Sequence, residues 1–514
     1  MANNRGPLLG SSSSSSSTRS PPEVTAVAEA GDLILAVTFE NSKATVRAAR
    51  KAQALKASLA RADKDRQPAL PPTAKARSRV PFRVQASVLR RQSKYFDKLL
   101  GDSHFKEAKD VAEALAALSL RNVKPADADP AELPWVEITD DDEATLYAHR
   151  ELVFADLLRI LHGQPVVAGT SSVAATTTAA TKITPQYVTT LAVLADRFDC
   201  TAPVSSYVNA SLKFRWPATS RKMPPGSGRG GDEGPGLSRA AEDVLRQKIL
   251  VGWLLNQPPI VRTGTRELIM SGSSRWSSFA PEDESEQGGK QEATWWYLPE
   301  GLEEELQYRR QCVLNTIASI QQHFLSLYSS RNAPRQCKLG YDSSAACDSY
   351  QLGEMIRFLA NKSLLFLVDF SPGSLDRIAD TSQVTVDSLL ATLRQCPSYQ
   401  IDKNHNNCGL RTRLLPILDF VQGLLSSNAV PVSRQAWKTD RAGTASGGSS
   451  SNKPFRFTRT MAGDQRLRFE GNLGADRFAR QVFLASSWDW TADDDASAAW
   501  SNPGKMGRVP LSFK

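Results

Sequence analysis

The sequence predicts an α+β chain: a small sheet capped by helices, then a mostly α-helical second domain, with disordered ends. Three observations carry this. Short β-type runs stand at Leu33-Ile34-Leu35-Ala36-Val37, Val80-Pro81-Phe82-Arg83-Val84 and Trp135-Val136-Glu137-Ile138. The second half shows helical apolar spacing, clearest at Val313, Ile317, Ile320, Phe324 and Leu327, which step by four, three, four and three. Both ends are low in complexity, with a serine tract from Ser11 to Ser17 and a Ser- and Gly-rich stretch after Ser426.

At 514 residues, 41% hydrophobic and 23% charged, the chain has room for about two to four folded units. Six Cys in so long a chain do not make a disulfide scaffold. No run of about 18 apolar residues can span a bilayer, and no apolar core follows a basic start at the N-terminus. An intracellular protein, cytoplasmic or nuclear, with reduced thiols and no membrane partner is expected.

The net charge of +9 sits in one place. Between Asn41 and Val80 there are eleven Lys or Arg against two acids, Asp63 and Asp65, so the remainder sums to zero. One basic segment in a neutral chain does not make nucleic acid the main partner. The segment is Ala-rich and helix-prone, with only Val46, Leu55 and Leu59 on its apolar side, so a solvated helical insertion is the preferred reading. The alternative is contact with nucleic acid or another anionic surface through residues 41–80.

Punctuation sets the remaining boundaries. Residues 1–23 read as a Ser/Pro-rich tail, 217–237 as a Gly/Pro linker, 238–428 as the helical domain and 429–514 as a mostly disordered tail. Between 24 and 216, two short helices follow the second strand, the acidic Ala-rich stretch 109–134 reads as a loop or insertion, and a helix ends at Gly163. Another helix starts at Thr184-Pro185, and one more carries Val204, Tyr207, Val208 and Leu212. In the second half, helices are expected at 244–255, 302–328, 349–360, 384–395 and 410–425. A short docking segment around Trp488, Trp490 and Trp500 is the one feature expected of the tail.

Catalytic chemistry finds little support. His104, His149, His162, His323 and His405 have no paired spacing of the zinc-helix kind. Gly226-Ser227-Gly228-Arg229-Gly230-Gly231 fits a dinucleotide fingerprint in letters only, since it follows Pro224-Pro225 and not a strand. Asp140-Asp141-Asp142 suits the start of a helix better than a metal. The metal candidates are Cys337, Cys347, Cys396, His405 and Cys408, whose residue types suit zinc but whose gaps of nine and eleven residues do not form close Cys pairs. Ordinary buried thiols are therefore the preferred reading, with no metal, no cofactor and no enzyme activity expected.

Order and spacing in the first part carry more. The segments Phe82-Arg83-Val84-Gln85-Ala86-Ser87-Val88-Leu89, Ser93-Lys94-Tyr95-Phe96, Phe105-Lys106-Glu107, Leu158-Arg159-Ile160-Leu161-His162-Gly163 and Leu194-Ala195-Asp196-Arg197-Phe198-Asp199-Cys200 follow one another in the order of a BTB/POZ domain. The stretch 24–216 resembles the BTB/POZ proteins of filamentous fungi, interrupted by insertions at about 41–80 and 109–134. The resemblance implies a small sheet capped by helices that self-associates and binds other proteins without catalysis. It also implies an alternative role as substrate adaptor of a cullin-type ubiquitin ligase. Phe105 and Glu107 match the apolar-x-Glu pattern used there and are the partner-binding candidates. Residues 238–428 resemble the helical region trailing that domain in such proteins.

Overall fold

The computed structural model describes residues 23–62, 74–168, 183–219, 237–277, 292–332, 334–368, 382, 384–405, 408–426, 430–435, 437–438, 457–459 and 488–490. The glycine-rich stretch 226–231, the serine tract and Trp500 lie outside them. The chain divides into two units, the first comprising residues 1–142, 146–182 and 197–203, the second 143–145, 183–196 and 204–514.

The first unit is built on a four-stranded mixed sheet. Its strands are β1 (Thr25–Ala26), β2 (Leu33–Glu40), β3 (Arg77–Val84) and β4 (Trp135–Asp141), in the spatial order β1-β3-β2-β4. Antiparallel pairing sets Leu35 opposite Phe82, and parallel pairing sets Leu35 beside Val136. The three β-type runs seen in the sequence thus share one sheet. Strand β2 is central and covered on both faces, which explains its unbroken apolar run.

Alternate residues of β2 point to opposite faces, so each face needs its own cover. On one face Phe39 meets Phe154 at 5.8 Å between ring centroids, edge to face. Phe154 also packs on Phe82 at 5.8 Å and on Phe198 at 5.2 Å, and Phe198 stacks on Phe96 at 5.7 Å. These rings come from α3 (Lys94–Gly101), α5 (Arg150–Leu161) and the segment after α6 (Pro185–Arg197). Helices α1 (Lys43–Ala62), α2 (Ala86–Gln92) and α4 (Lys106–Leu120) complete the series.

On the other face Ile34 packs with Leu118, Ala128 and Leu133. This corrects the expectation of a loop at 109–134. The stretch instead continues helix α4 to Leu120, followed by a 3-10 turn at Pro125–Asp127. The physical reason is Ile34 itself, which would otherwise leave apolar surface in water. Ala108, Val111 and Leu118 form the buried stripe of α4, a pattern obscured by the acidic residues between them.

Caps and turns fix the helix starts. Ser93 accepts from the Phe96 N–H at 3.1 Å and donates to the Phe198 carbonyl at 2.6 Å. Asp32, from the turn before β2, accepts the Ala86 N–H at 2.7 Å at the start of α2. Gly163 follows α5 with φ +70°, the left-handed conformation expected of a helix-ending glycine. Helix α1 buries only Thr45 and Val46 among its described side chains and exposes Leu55, as a solvated helix should.

A buried polar cluster stands at the C-terminal ends of β2 and β4. Arg150, 1% exposed, donates from Nε to Asp140 Oδ2 at 2.6 Å, from Nη1 to Asn41 Oδ1 at 2.8 Å, and from Nη2 to the Glu40 carbonyl at 2.8 Å. Arg197 reaches the other oxygen of Asp140 at 2.5 Å and Asp141 at 3.1 Å. Asp142 accepts the Ser42 N–H and hydroxyl at 3.0 Å, at the start of α1. The triple acid therefore caps a helix, as its composition suggests, and also neutralises a buried arginine, which composition did not suggest.

The second unit is helical in its core. It holds α7 (Thr201–Ala210) in large part, α8 (Arg239–Leu254), α9 (Pro258–Ser271), α10 (Leu302–Ser329), α11 (Ser344–Asn361), α12 (Val386–Leu393) and α13 (Leu410–Ser426). Helix α9 was not among the helices expected from the sequence; it begins at Pro258-Pro259, and Pro in the first turn is a permitted start. On α10, Val313, Ile317, Ile320 and Phe324 are all buried in one core with Leu389, Leu414 and Ile417. That core also takes in Val430, Val432 and Trp437, which corrects the expectation that the tail begins directly after residue 428. Further along, β5 (Phe457–Arg459) pairs antiparallel with β6 (Trp488–Trp490), a pairing no sequence signal announced.

A second buried arginine holds this unit. Arg246 pairs with Glu242 at 2.8 Å and with both oxygens of Glu303 at 2.7 and 2.8 Å. Burial opposes the charge on Glu242, yet Arg246 and the hydroxyls of Ser273 and Ser274 outweigh it and hold its carboxyl below the usual range. No helix among the described residues is long and apolar enough to cross a membrane.

Candidate functional site

Two groups of side chains stand out, one in each unit. In the first, the turn between α3 and α4 projects an aromatic. Asp102 Oδ1 accepts the His104 N–H at 3.0 Å and lies 2.7 Å from its Nδ1, while the Asp102 carbonyl accepts the Phe105 N–H at 3.0 Å. The His104 backbone and ring hold the Asp102 carboxyl below its usual range. This locked turn leaves Phe105 at the N-cap of α4 with 42% of its surface exposed.

Glu107, in the first turn of α4, is half-buried; burial, and after it the Glu107 charge, raises the pKa of Tyr95 on α3. Tyr95 is itself 36% exposed and packs edge-on against Phe96. Glu107 is thus within electrostatic reach of Tyr95, and Phe105 stands two residues before it at the N-cap of α4.

In the second unit four ligand-type side chains converge. The ligand atoms of Cys337, Cys347, His405 and Cys408 all lie within 4.8 Å of one another. Cys337 Sγ is 3.4 Å from His405 Nδ1, Cys408 Sγ is 3.6 Å from the same nitrogen, and Cys347 and Cys408 are 3.4 Å apart at sulfur. Cys337, Cys347 and His405 are buried, and Cys408 is half-buried.

Local structure explains the convergence. Gly340, at φ +73°, turns the chain after Cys337 back toward the start of α11, where Cys347 sits. Asp348, one residue on, accepts the N–H groups of Gln336 and Cys337 at 2.8 Å each and clamps that loop to the helix. His405 lies in a turn closed by the Asp402 carbonyl and carboxylate. Cys408 stands just before α13, whose first N–H, from Leu410, is held by Gln351 of α11 at 3.3 Å.

The ring of His405 is oriented from behind. Ser343 Oγ lies 2.8 Å from Nε2, and Asp402 Oδ2 lies 3.8 Å from the same atom. An Nε2–H donated to Ser343 leaves the Nδ1 lone pair facing the sulfurs. With no cation present the thiol forms are favoured: burial and then the neighbouring Cys408 and Cys337 raise the pKa of Cys347, and burial with Cys337 raises that of Cys408. Cys408 Sγ also lies 3.0 Å from the His405 carbonyl oxygen, to which it donates as a thiol.

Of the five residues singled out in the sequence, Cys396 stays apart. It belongs to the apolar core of the second unit, with Sγ 3.8 Å from the Pro397 carbonyl, and burial pushes its thiol up to about 11. The remaining four come together although sequence spacing argued against it. The overlooked signal was His405-Asn406-Asn407-Cys408, a close pair of mixed type. Comparison with protein-family models, with curated proteins and with solved structures gave no match.

Proposed function

We propose that this chain is a non-enzymatic protein–protein interaction protein whose first unit is a BTB/POZ-like module that self-associates and binds other proteins. The observation that carries the reading is Phe105, a large aromatic held partly exposed by a locked turn two residues before Glu107. Aromatic side chains supply much of the energy at interface hot spots, and an exposed one on a rigid turn loses little entropy when covered. A small mixed sheet with helical cover, in the element order of the resemblance, supports the same reading.

Sedimentation of the full chain at micromolar concentration tests self-association. A dimer or higher oligomer is expected, and a clean monomer removes the main support. The exposed Phe-x-Glu favours a second reading, a substrate adaptor of a cullin-type ubiquitin ligase. Cullin capture would then fall by roughly 30-fold in Phe105→Ala, the scale of a hot-spot truncation of about 2 kcal/mol. Capture that survives both Phe105→Ala and Glu107→Lys, or that never occurs, removes the adaptor role and leaves the broader reading in place.

A further inference from the structure

We propose that Cys337, Cys347, His405 and Cys408 bind one zinc ion, which ties the loop before α11, the start of α11 and the turn before α13 into a single structural site. Nothing in this depends on the BTB/POZ-like reading, because all four residues belong to the second unit.

The separations between these atoms fit a tetrahedral site. Zn–S bonds of about 2.3 Å and Zn–N bonds of about 2.0 Å place neighbouring sulfurs roughly 3.8 Å apart and sulfur and nitrogen roughly 3.6 Å apart. The separations of 3.4, 3.4 and 3.6 Å among these atoms fall close to those edges. A disulfide would need sulfurs at about 2.0 Å, and Cys347 and Cys408 stand well outside that.

The donor chemistry selects the ion. Three sulfurs and one imidazole form a soft, borderline set that suits zinc and excludes magnesium and calcium, which require oxygen. The three thiols release their protons to solvent as the metal binds, and three thiolates with one Zn²⁺ leave a net charge of −1. Deprotonation also ends the Cys408 thiol contact to the His405 carbonyl. The Nδ1 lone pair of His405 already faces the sulfurs when its Nε2–H is held by Ser343, an outer-shell partner of the kind metal-bound histidines use.

The spacing shows what such an ion would do. Cys337 and His405 are 68 residues apart, and Cys347 and Cys408 are 61 apart. Joining them closes a long loop, and the binding free energy of a structural zinc becomes folding free energy of the segments it joins.

The test is elemental analysis of the full chain purified under reducing conditions. About one zinc per chain is expected, falling at least tenfold in the Cys347→Ser/Cys408→Ser variant and staying unchanged in Cys396→Ala. Replacement of zinc by Co²⁺ in the unaltered chain should give the intense visible absorption of a tetrahedral cobalt thiolate, which keeps the proposal testable should the double variant fail to fold. Three results would overturn it: a chain that takes up neither metal with its thiols reduced, zinc retained in the double variant, or a Cys347–Cys408 disulfide recovered as the native state.

Discussion

Each unit buries a polar cluster, but the two clusters balance themselves differently. Around Arg150 the chain supplies both signs: the guanidinium meets Asp140, and Asp140 meets Arg197. Around His405 it supplies only lone-pair donors, three sulfurs and an imidazole nitrogen, crowded within 4.8 Å. The first arrangement is complete from within, because every ionised group has an opposite charge at hydrogen-bond distance. The second gains its stability from a cation brought from outside. A buried polar cluster therefore says nothing about ligand binding until the signs of its members are compared.

The largest expected effect breaks the first side of this comparison. Arg150→Ala strips Asp140 of one partner and removes the guanidinium donor from the Glu40 carbonyl and from Asn41 Oδ1. A loss of about 3–5 kcal/mol from the first unit is expected, the range for removing one member of a buried pair. Hydrogen exchange in β2 and α5 would report it, since global unfolding of a two-unit chain need not be two-state. A loss below about 1 kcal/mol would mean that Arg197 alone satisfies Asp140 and that the cluster is redundant.

The same contrast governs how much could be read from the sequence. The sheet was legible because β2 is apolar on both faces and β3 and β4 follow with short β-type runs. Helix α4 was missed because its inward residues, Ala108, Val111, Leu118 and the partly buried Leu115, stand among acids that suggest a loop. Phe105 and Glu107 could be named from their pattern, but not the exposure of Phe105, which depends on the Asp102–His104 turn. At the Cys/His group the residue types were legible and their meeting was not. It depends on a reversal at Gly340 and on Asp348 holding the Cys337 loop, neither of which leaves a trace in spacing. Arg150 and Arg246 were invisible for a related reason: a buried arginine looks like any other until its acceptors are known.

An intermediate effect sharpens the second side. Ser343→Ala removes the acceptor behind His405 Nε2 but no proposed ligand. Zinc should still bind, about 10- to 100-fold more weakly, as competition with a chelator would measure. Unchanged affinity would show that Asp402, 3.8 Å from the same nitrogen, orients the ring without the serine. Either result locates the outer shell without altering the donor set.

The smallest effect calibrates both clusters against the surface. Arg79 pairs with Glu137 across β3 and β4, with 47% and 70% of the two side chains exposed. Glu137→Gln should change stability by less than about 1 kcal/mol, and less still as salt is raised. Arg79 would keep its place over the Trp135 ring, 5.6 Å from its centroid. Both this pair and Arg150–Asp140 join an arginine to a carboxylate, so a several-fold difference in their mutational cost reflects the water excluded around the second and the further acceptors that Arg150 holds there. If Glu137→Gln instead cost as much as Arg150→Ala, burial would not be what distinguishes them, and the contrast between a charge-balanced cluster and one awaiting a cation would lose its physical basis.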